Sequence, residues 1–132
     1  MTELDKLKDE LEQYQQIIEE DISEDVNVLF KKGNELSVII SRSGYIMAQS
    51  KKKLNAKMQS EIFDSIRKLA TETTYVSART VNAIIDSLCR DERFVYDWSE
   101  RINKSATHRL EWFRTQISYA KQEIFSTRQF NT

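Results

Sequence analysis

The residues best suited to chemistry in this sequence are five cations in its middle part: Arg42, Lys51, Lys52, Lys53 and Lys57. No acidic residue lies between Glu35 and Glu61, so nothing local competes for these charges. Mobile or forked cations with little competing acid bind the phosphates of a nucleic-acid backbone. The cluster therefore predicts a polyanion-binding site. A solvated basic face that pairs with the acidic N-terminal segment accounts for the same residues equally well.

The sequence offers no catalytic or metal-binding constellation. A general base needs an orienting partner and a nucleophile within reach, and the residues around His108, the single histidine, supply neither. Cys89 is the single cysteine, so a site with histidine and cysteine ligands lacks the residues it needs. We predict that Cys89 is a small buried hydrophobic residue. The protein is therefore predicted to be non-enzymatic, with no metal and no cofactor.

The composition predicts an all-α fold. The chain of 132 residues contains no proline and only two glycines, Gly33 and Gly44. Strands joined by tight turns normally need several of each, because these residues supply the special backbone angles of turns. We expect long amphipathic helices in a helical hairpin or bundle with an N-terminal coiled-coil arm, assembled as a homo-oligomer. The parts are an acidic heptad helix at 1–22 and a basic helical body at 23–132, with long helices at about 35–70 and 78–127.

Local signals set the expected helix ends. Ser23 is a candidate cap for a short helical turn, and Gly33 resembles a glycine that ends a helix. The threonine-rich segment 71–77 predicts a break, because β-branched residues lose rotamer freedom in helices. Ser77 is the expected N-cap of the next segment, which continues into the final helix directly or after a small kink.

A strict heptad stripe lies in the N-terminal helix, with apolar side chains at Leu4, Leu7, Leu11, Tyr14 and Ile18. Such a narrow seam is typical of a coiled contact with another helix. A run this short is marginal alone in water, so it needs a partner, either within the chain or in another subunit.

A wider apolar stripe follows the C-terminal helix, at Phe94, Val95, Trp98, Ile102, Ala106, Leu110, Phe113, Ile117, Ala120 and Ile124. The upstream helices supply too little apolar surface to cover it, so we expect subunits to meet here. The predicted interface residues are Trp98, Ile102, Arg109, Leu110, Phe113, Ile117, Leu4, Leu7 and Leu11. Arg109 lies inside the stripe, where an unpaired charge is costly, so either an acid or a ligand such as phosphate should meet it. Trp112 lies off the stripe and is a candidate contact residue.

The net charge of −1 conceals two opposite parts. Residues 1–25 carry ten acidic and two basic side chains, a net charge of −8, and the remaining residues carry +7. A basic body is what a polyanion-binding protein presents, although charge-rich helical proteins without such a partner also segregate charge.

The back half of the chain resembles the UvsY type of phage recombination mediator. The resemblance rests on Ser77-Ala78 at the start of a helix, a Tyr96-x-Trp98 pair and Arg114-Thr-Gln-Ile117 late in the last helix, with the lysine-rich helix upstream. It implies a small helical protein that forms closed homo-oligomers through its C-terminal helix. It also implies binding to single-stranded DNA without sequence preference, with a RecA-type recombinase and single-strand-binding protein as partners.

We therefore predict a non-enzymatic accessory protein that binds single-stranded DNA through Arg42, Lys51, Lys52, Lys53 and Lys57 and assists a recombinase. The alternative is a structural or interaction bundle, a viral assembly or regulatory module that binds no nucleic acid. A further alternative is an inhibitor whose acidic first helix mimics DNA. Because the sequence has no membrane-spanning run and no signal peptide, we expect a cytoplasmic protein, in the host cytoplasm if it is viral.

Overall fold

The computed structural model describes residues 1–21, 25–71 and 77–130. Within these ranges the chain forms four helices and no strand, which confirms the predicted all-α class. The helices are α1 (Glu3–Glu19), α2 (Val26–Thr71), α3 (Ala78–Leu88) and α4 (Arg90–Phe130).

The frame of the molecule is an antiparallel pair of long helices, α2 and α4. Gly33 of α2 lies beside Leu110 of α4, and Gly44 lies beside Asn103. Towards the other end, Lys57 of α2 contacts Glu92 of α4. Residue numbers therefore rise along one helix as they fall along the other.

The main core lies between these two helices and α1. Its buried side chains are Leu11, Ile18, Leu29, Leu36, Ile39, Ile46, Val95, Ile102, Ala106 and Phe113. A polar contact between α4 and α2 crosses the core, in which Asn103 Nδ2 donates to the carbonyl of Ile40 at 2.9 Å and to Ser43 Oγ at 3.1 Å. Small side chains on α2 at Ser43 and Gly44 leave space for this amide. The small residues of α2 thus lie where it contacts α4.

Helix α1 packs within the same chain, chiefly against α4. Leu11 and Ile18 are buried in the core, with Leu4, Leu7 and Tyr14 packed against it. At its start, Thr2 Oγ1 accepts from the Asp5 N–H while the Asp5 carboxylate accepts from the Thr2 N–H, each at 3.2 Å. This capping box satisfies two backbone donors that a helix start leaves free. The partner that the heptad stripe requires is therefore present in the chain itself.

The prediction that a helix ends at Gly33 is wrong. Helix α2 begins at Val26, not near residue 35, and runs through Gly33 without interruption. No described glycine has a positive φ, which is the conformation that a glycine at a helix end supplies. Leu29 and Leu36, on either side of Gly33, are both buried in the core. Burial of these two side chains outweighs the roughly 1 kcal/mol by which glycine disfavours a helix.

The C-terminal region consists of two helices with a break at Cys89. Ser77 caps α3 as predicted, since its Oγ accepts from the Thr80 N–H at 3.2 Å. Of the two alternatives left open, direct continuation does not occur: Cys89 caps the end of α3, and α4 begins at Arg90. Cys89 is fully buried with Leu54 and Ile85 in a second, smaller core. The candidate cap Ser23 lies outside the described residues. Of the break predicted at 71–77, Thr71 ends α2 and Ser77 caps α3, and residues 72–76 lie outside the described residues.

Candidate nucleic-acid interface

Helical phase divides the five predicted cations into two groups. Successive residues of an α-helix are about 100° apart, so neighbouring lysines on α2 face different sides. Lys51 and Lys52 project into solvent. Arg42, Lys53 and Lys57 lie on the flanks of α2 and pair with acids on α1 or α4. The cluster is therefore not one uniform basic face.

Arg42 forms a forked ion pair with Glu10 of α1. Its Nε lies 3.1 Å from Glu10 Oε2, and one terminal nitrogen lies 2.8 Å from Oε1. This is the bidentate geometry that guanidinium groups form with carboxylates and phosphates. The hydrogen bond to Glu10 raises the pKa of Arg42 further above its ordinary value. The guanidinium carbon also lies 4.8 Å from the centroid of the Tyr45 ring.

Lys53 pairs with the other end of α1. Its Nζ donates to Glu3 Oε2 at 2.6 Å. This hydrogen bond lowers the pKa of Glu3 below its ordinary value. Two of the five predicted cations are thus occupied by the acidic helix.

Lys57 contacts α4 instead. Its Nζ lies 3.1 Å from Oε1 of Glu92, and Glu92 is buried. The hydrogen bond to Glu92 raises the pKa of Lys57. A buried carboxylate requires such a partner, because an unpaired buried charge is costly. The pair therefore serves the junction of α2 and α4.

Lys51 and Lys52 are the two cations of the cluster that form no ion pair with the described residues. Lys51 Nζ lies 5.9 Å from the centroid of the Tyr96 ring, within the usual range of a cation–π contact. Lys52 is exposed without such a contact. These two ammonium groups are available to an anionic ligand.

Sequence reasoning missed Tyr45, which shares the solvent face of α2 with Lys52. The two residues are seven apart, or about two helical turns, and the Tyr45 side chain is 52% exposed. Asn55 and Gln59 follow at steps of three and four and are also exposed. The sequence signal that could have identified Tyr45 is its position seven residues before Lys52, in the stretch without acidic residues between Glu35 and Glu61. The acid-free face, defined as Tyr45, Lys52, Asn55 and Gln59, combines a cation, amides and an aromatic ring. Lys51 lies beside this face, about 100° around α2 from Lys52.

The side chains predicted to join subunits pack against the main core of their own chain. Ile102 and Phe113 are almost completely buried in the main core, with Trp98, Leu110 and Ile117 packed against it. From α1, Leu11 is fully buried, and Leu4 and Leu7 contact the same core. A second subunit could reach most of these side chains only if the bundle opened.

Arg109 forms no ion pair with an acid of the described residues and contacts a backbone carbonyl instead. One terminal nitrogen donates to the backbone carbonyl of Glu20 at 3.2 Å, just beyond the end of α1. Carbonyls at a helix C-terminus carry partial negative charge and lack helical partners, so a guanidinium stabilises them. Arg109 thus fixes the end of α1 against α4.

The remaining candidates have simple surroundings. His108 is exposed, with Nδ1 3.9 Å from Glu111 Oε2. Trp112 is 42% exposed and its ring lies edge-on to Phe113. Within the described residues, no group of histidine, cysteine and acidic side chains is placed to hold a metal ion. In the same part of the chain, no helix combines the length and apolarity that crossing a membrane requires.

Comparisons of the chain with protein-family models, curated proteins and solved structures find no match. The UvsY-type resemblance accordingly stays a prediction from the residues quoted for it.

Proposed function

We propose that this protein is a non-enzymatic accessory protein that binds single-stranded DNA and, like a recombination mediator, assists a RecA-type recombinase. The observation that carries the proposal is the acid-free face of α2, where Lys52 and Tyr45 are exposed on the same side. Lys51, beside this face, is also exposed, and neither lysine forms an ion pair with the described residues. Single-strand binders combine these two features, cations for the backbone and aromatic rings for the bases.

The mechanism follows from the chemistry of this face. Lys51 and Lys52 contact neighbouring phosphates, and a base stacks on Tyr45. Asn55 and Gln59 offer hydrogen bonds along the strand. None of these groups reads the base edges of a fixed sequence, so binding is independent of sequence. In recombination, the protein would hold the strand while single-strand-binding protein is displaced and the recombinase loads.

Two phosphate contacts per chain give weak binding that depends only modestly on salt. For single strands, the logarithm of the binding constant changes by about −0.7 per contacted phosphate with the logarithm of salt, so two contacts give a slope of about −1.4. Several chains joined on one strand would bind far more tightly, because each further contact is intramolecular. A homo-oligomer therefore suits this function.

The exposed end of α4 is the surface that we propose for self-association. Every residue from Lys121 to Gln129 is exposed, although the apolar stripe continues here through Ile124, which is 51% exposed. In a parallel coiled coil of two such segments, the seam lies beyond Ile117, which packs against the core, and consists of Ala120, Ile124 and Thr127. Charge complementarity specifies the partner as a second copy, because Glu123 of one chain then faces Arg128 of the other, five residues later.

The DNA-binding proposal is tested by fluorescence anisotropy with labelled oligo-dT at low and moderate salt. Lys51→Ala/Lys52→Ala should lose most of the affinity and flatten the salt dependence. Arg101→Ala/Arg114→Ala removes the same charge from exposed positions of α4 and is the matched control, which should bind nearly as wild type does. Equal binding by wild type and the lysine variant, or no binding by either, would contradict the proposal.

A second candidate function is a structural helical bundle that joins copies of itself without nucleic acid. The exposed, heptad-spaced end of α4 favours it independently of the cations. This candidate predicts self-association of the wild type together with no oligo-dT binding.

A further inference from the structure

The acidic helix α1 occupies the flank of α2 next to the acid-free face. Glu10 pairs with Arg42 and Glu3 pairs with Lys53, at 2.8 Å and 2.6 Å. Both acids come from α1. Of the two cations, Lys53 directly follows Lys52, and Arg42 lies two to three turns before Lys51 and Lys52 on α2. The four cations Arg42, Lys51, Lys52 and Lys53 therefore belong to one stretch of helix, of which two are covered by carboxylates.

The covering carboxylates have the chemistry of a phosphate. Arg42 holds Glu10 with two nitrogen donors, the arrangement in which guanidinium groups also hold phosphate. Lys53 holds Glu3 as a point charge. The Glu3 side chain is 73% exposed, so its pair is reachable from solvent. An exposed ion pair such as that of Lys53 and Glu3 contributes little to stability, so another anion can replace the carboxylate. The pair of Arg42 and Glu10 is half-buried, with side chains 41% and 28% exposed, and stays partly accessible to solvent.

The position of α1 does not depend on these two ion pairs. Leu11 and Ile18 hold the helix in the main core, and Arg109 holds its C-terminal end. The carboxylates can therefore rotate away from α2 while α1 stays in place. Lys57 differs, because its partner Glu92 is buried and an exchange would leave that charge uncompensated.

We propose that Glu3 and Glu10 are internal competitors for the DNA backbone, which occupy the phosphate positions at Lys53 and Arg42 until a strand displaces them. This inference rests on the proposed function. It adds Arg42 and Lys53 to the DNA-binding site and gives α1 a role in setting the affinity for single-stranded DNA. With the carboxylates in place a strand has two phosphate contacts per chain, at Lys51 and Lys52, and it gains one more at each carboxylate that it displaces.

The test uses the full chain and labelled oligo-dT, with Glu3→Gln/Glu10→Gln as the key variant. The amides keep the size of the side chains and remove their charge, so Arg42 and Lys53 become free. We expect about tenfold tighter binding at low salt and a salt dependence steeper by about 1.4, the contribution of two added phosphate contacts.

Asp9→Asn/Glu12→Gln is the matched control. Asp9 and Glu12 are exposed residues of α1 and form no ion pair with the described residues, so this variant removes the same charge without freeing a cation. Its affinity should rise less than twofold and its salt slope should stay that of wild type. Adding Arg42→Ala/Lys53→Ala to the key variant should abolish the gain. Circular dichroism checks that each variant keeps its helix content.

The outcomes separate the two proposals. If wild type binds through Lys51 and Lys52 but the key variant gains no more than the control, the competitor role is overturned and the proposed function stands. If no variant binds oligo-dT, both are overturned. If only the key variant binds, the wild type is not a DNA-binding protein, so the proposed function and the competitor role that rests on it are both overturned.

Discussion

Lys52 and Lys57 are five residues apart on α2 and have opposite surroundings. Lys57 lies 3.1 Å from a carboxylate oxygen of the buried Glu92, whereas Lys52 projects into solvent. The same residue type therefore has a structural role at one position and is free to bind at the other. Removing the Lys57 side chain leaves the buried Glu92 carboxylate without its donor, whereas removing the Lys52 side chain leaves no buried group without a partner.

We predict that Lys57→Ala lowers the free energy of unfolding by about 1–3 kcal/mol, the usual cost of an unsatisfied buried polar group. Lys52→Ala should change it by less than about 0.5 kcal/mol, as exposed substitutions usually do. Urea denaturation followed by circular dichroism at 222 nm measures both. Equal stabilities would show that the pair of Lys57 and Glu92 does not support the junction of α2 and α4.

Helix α1 faces the core with its apolar side, and two of its acidic side chains, Glu3 and Asp5, accept hydrogen bonds that stabilise its position or its start. The hydrogen bond from Lys53 lowers the pKa of Glu3, and hydrogen bonds from Thr2 lower the pKa of Asp5. A carboxyl group whose pKa is lower in the folded protein stabilises the fold above its ordinary pKa. The ordinary values are 4.5 for Glu3 and 3.8 for Asp5. The stabilisation is lost as the pH falls through the lowered values.

We therefore predict that the free energy of unfolding decreases as the pH is lowered from about 5 to 3. Glu3→Gln should show a smaller decrease over this range, because one of the shifted groups is gone, and should be less stable than wild type at pH 7. Urea midpoints at pH 7, 5 and 3 measure the effect. Glu12→Gln removes an exposed acid of α1 and serves as control. A variant Glu3→Gln with the pH dependence of wild type would contradict the assignment.

At the scale of the whole molecule, the bundle leaves the end of α4 uncovered. Phe113 is buried in the core, whereas Ile124 and Phe125 are 51% and 62% exposed. An isolated helical segment of this length is marginal in water, so the end of α4 gains stability from a partner. The proposed partner is the same segment of a second copy.

We predict that sedimentation equilibrium detects concentration-dependent association of the wild type above the chain mass of 15.6 kDa. Ile124→Glu places a charge in the seam and should give monomers, while Ser126→Glu adds the same charge outside the seam and should leave association intact. Arg128→Glu should weaken association by like-charge contact with Glu123. Combining it with Glu123→Arg should restore association if the helices are parallel. A wild type that is monomeric at every concentration would exclude this surface.

Much of the local structure follows from local sequence patterns. The absence of proline and the apolar steps of three and four predict long helices, because helical periodicity depends only on near neighbours. The caps Thr2 and Ser77 are predictable for the same reason, since each side chain bonds a backbone group three residues away. Gly33 shows where local rules fail. Its cost to the helix was predictable, but the burial of Leu29 and Leu36 that overcomes it depends on helices elsewhere in the chain.

The sequence by itself determined the helical class, the apolar stripes and the density of positive charge on α2, because these depend on composition and spacing along one helix. Only the tertiary structure decided which of those charges are free. Arg42 and Glu10 are 32 positions apart, and Lys53 and Glu3 are 50 apart. Their pairing depends on how α1 and α2 are positioned against α4, and burial of apolar side chains fixes that position. Of the five cations in the candidate site, Lys51 and Lys52 are therefore open to a ligand, and Arg42 and Lys53 are paired with carboxylates of α1.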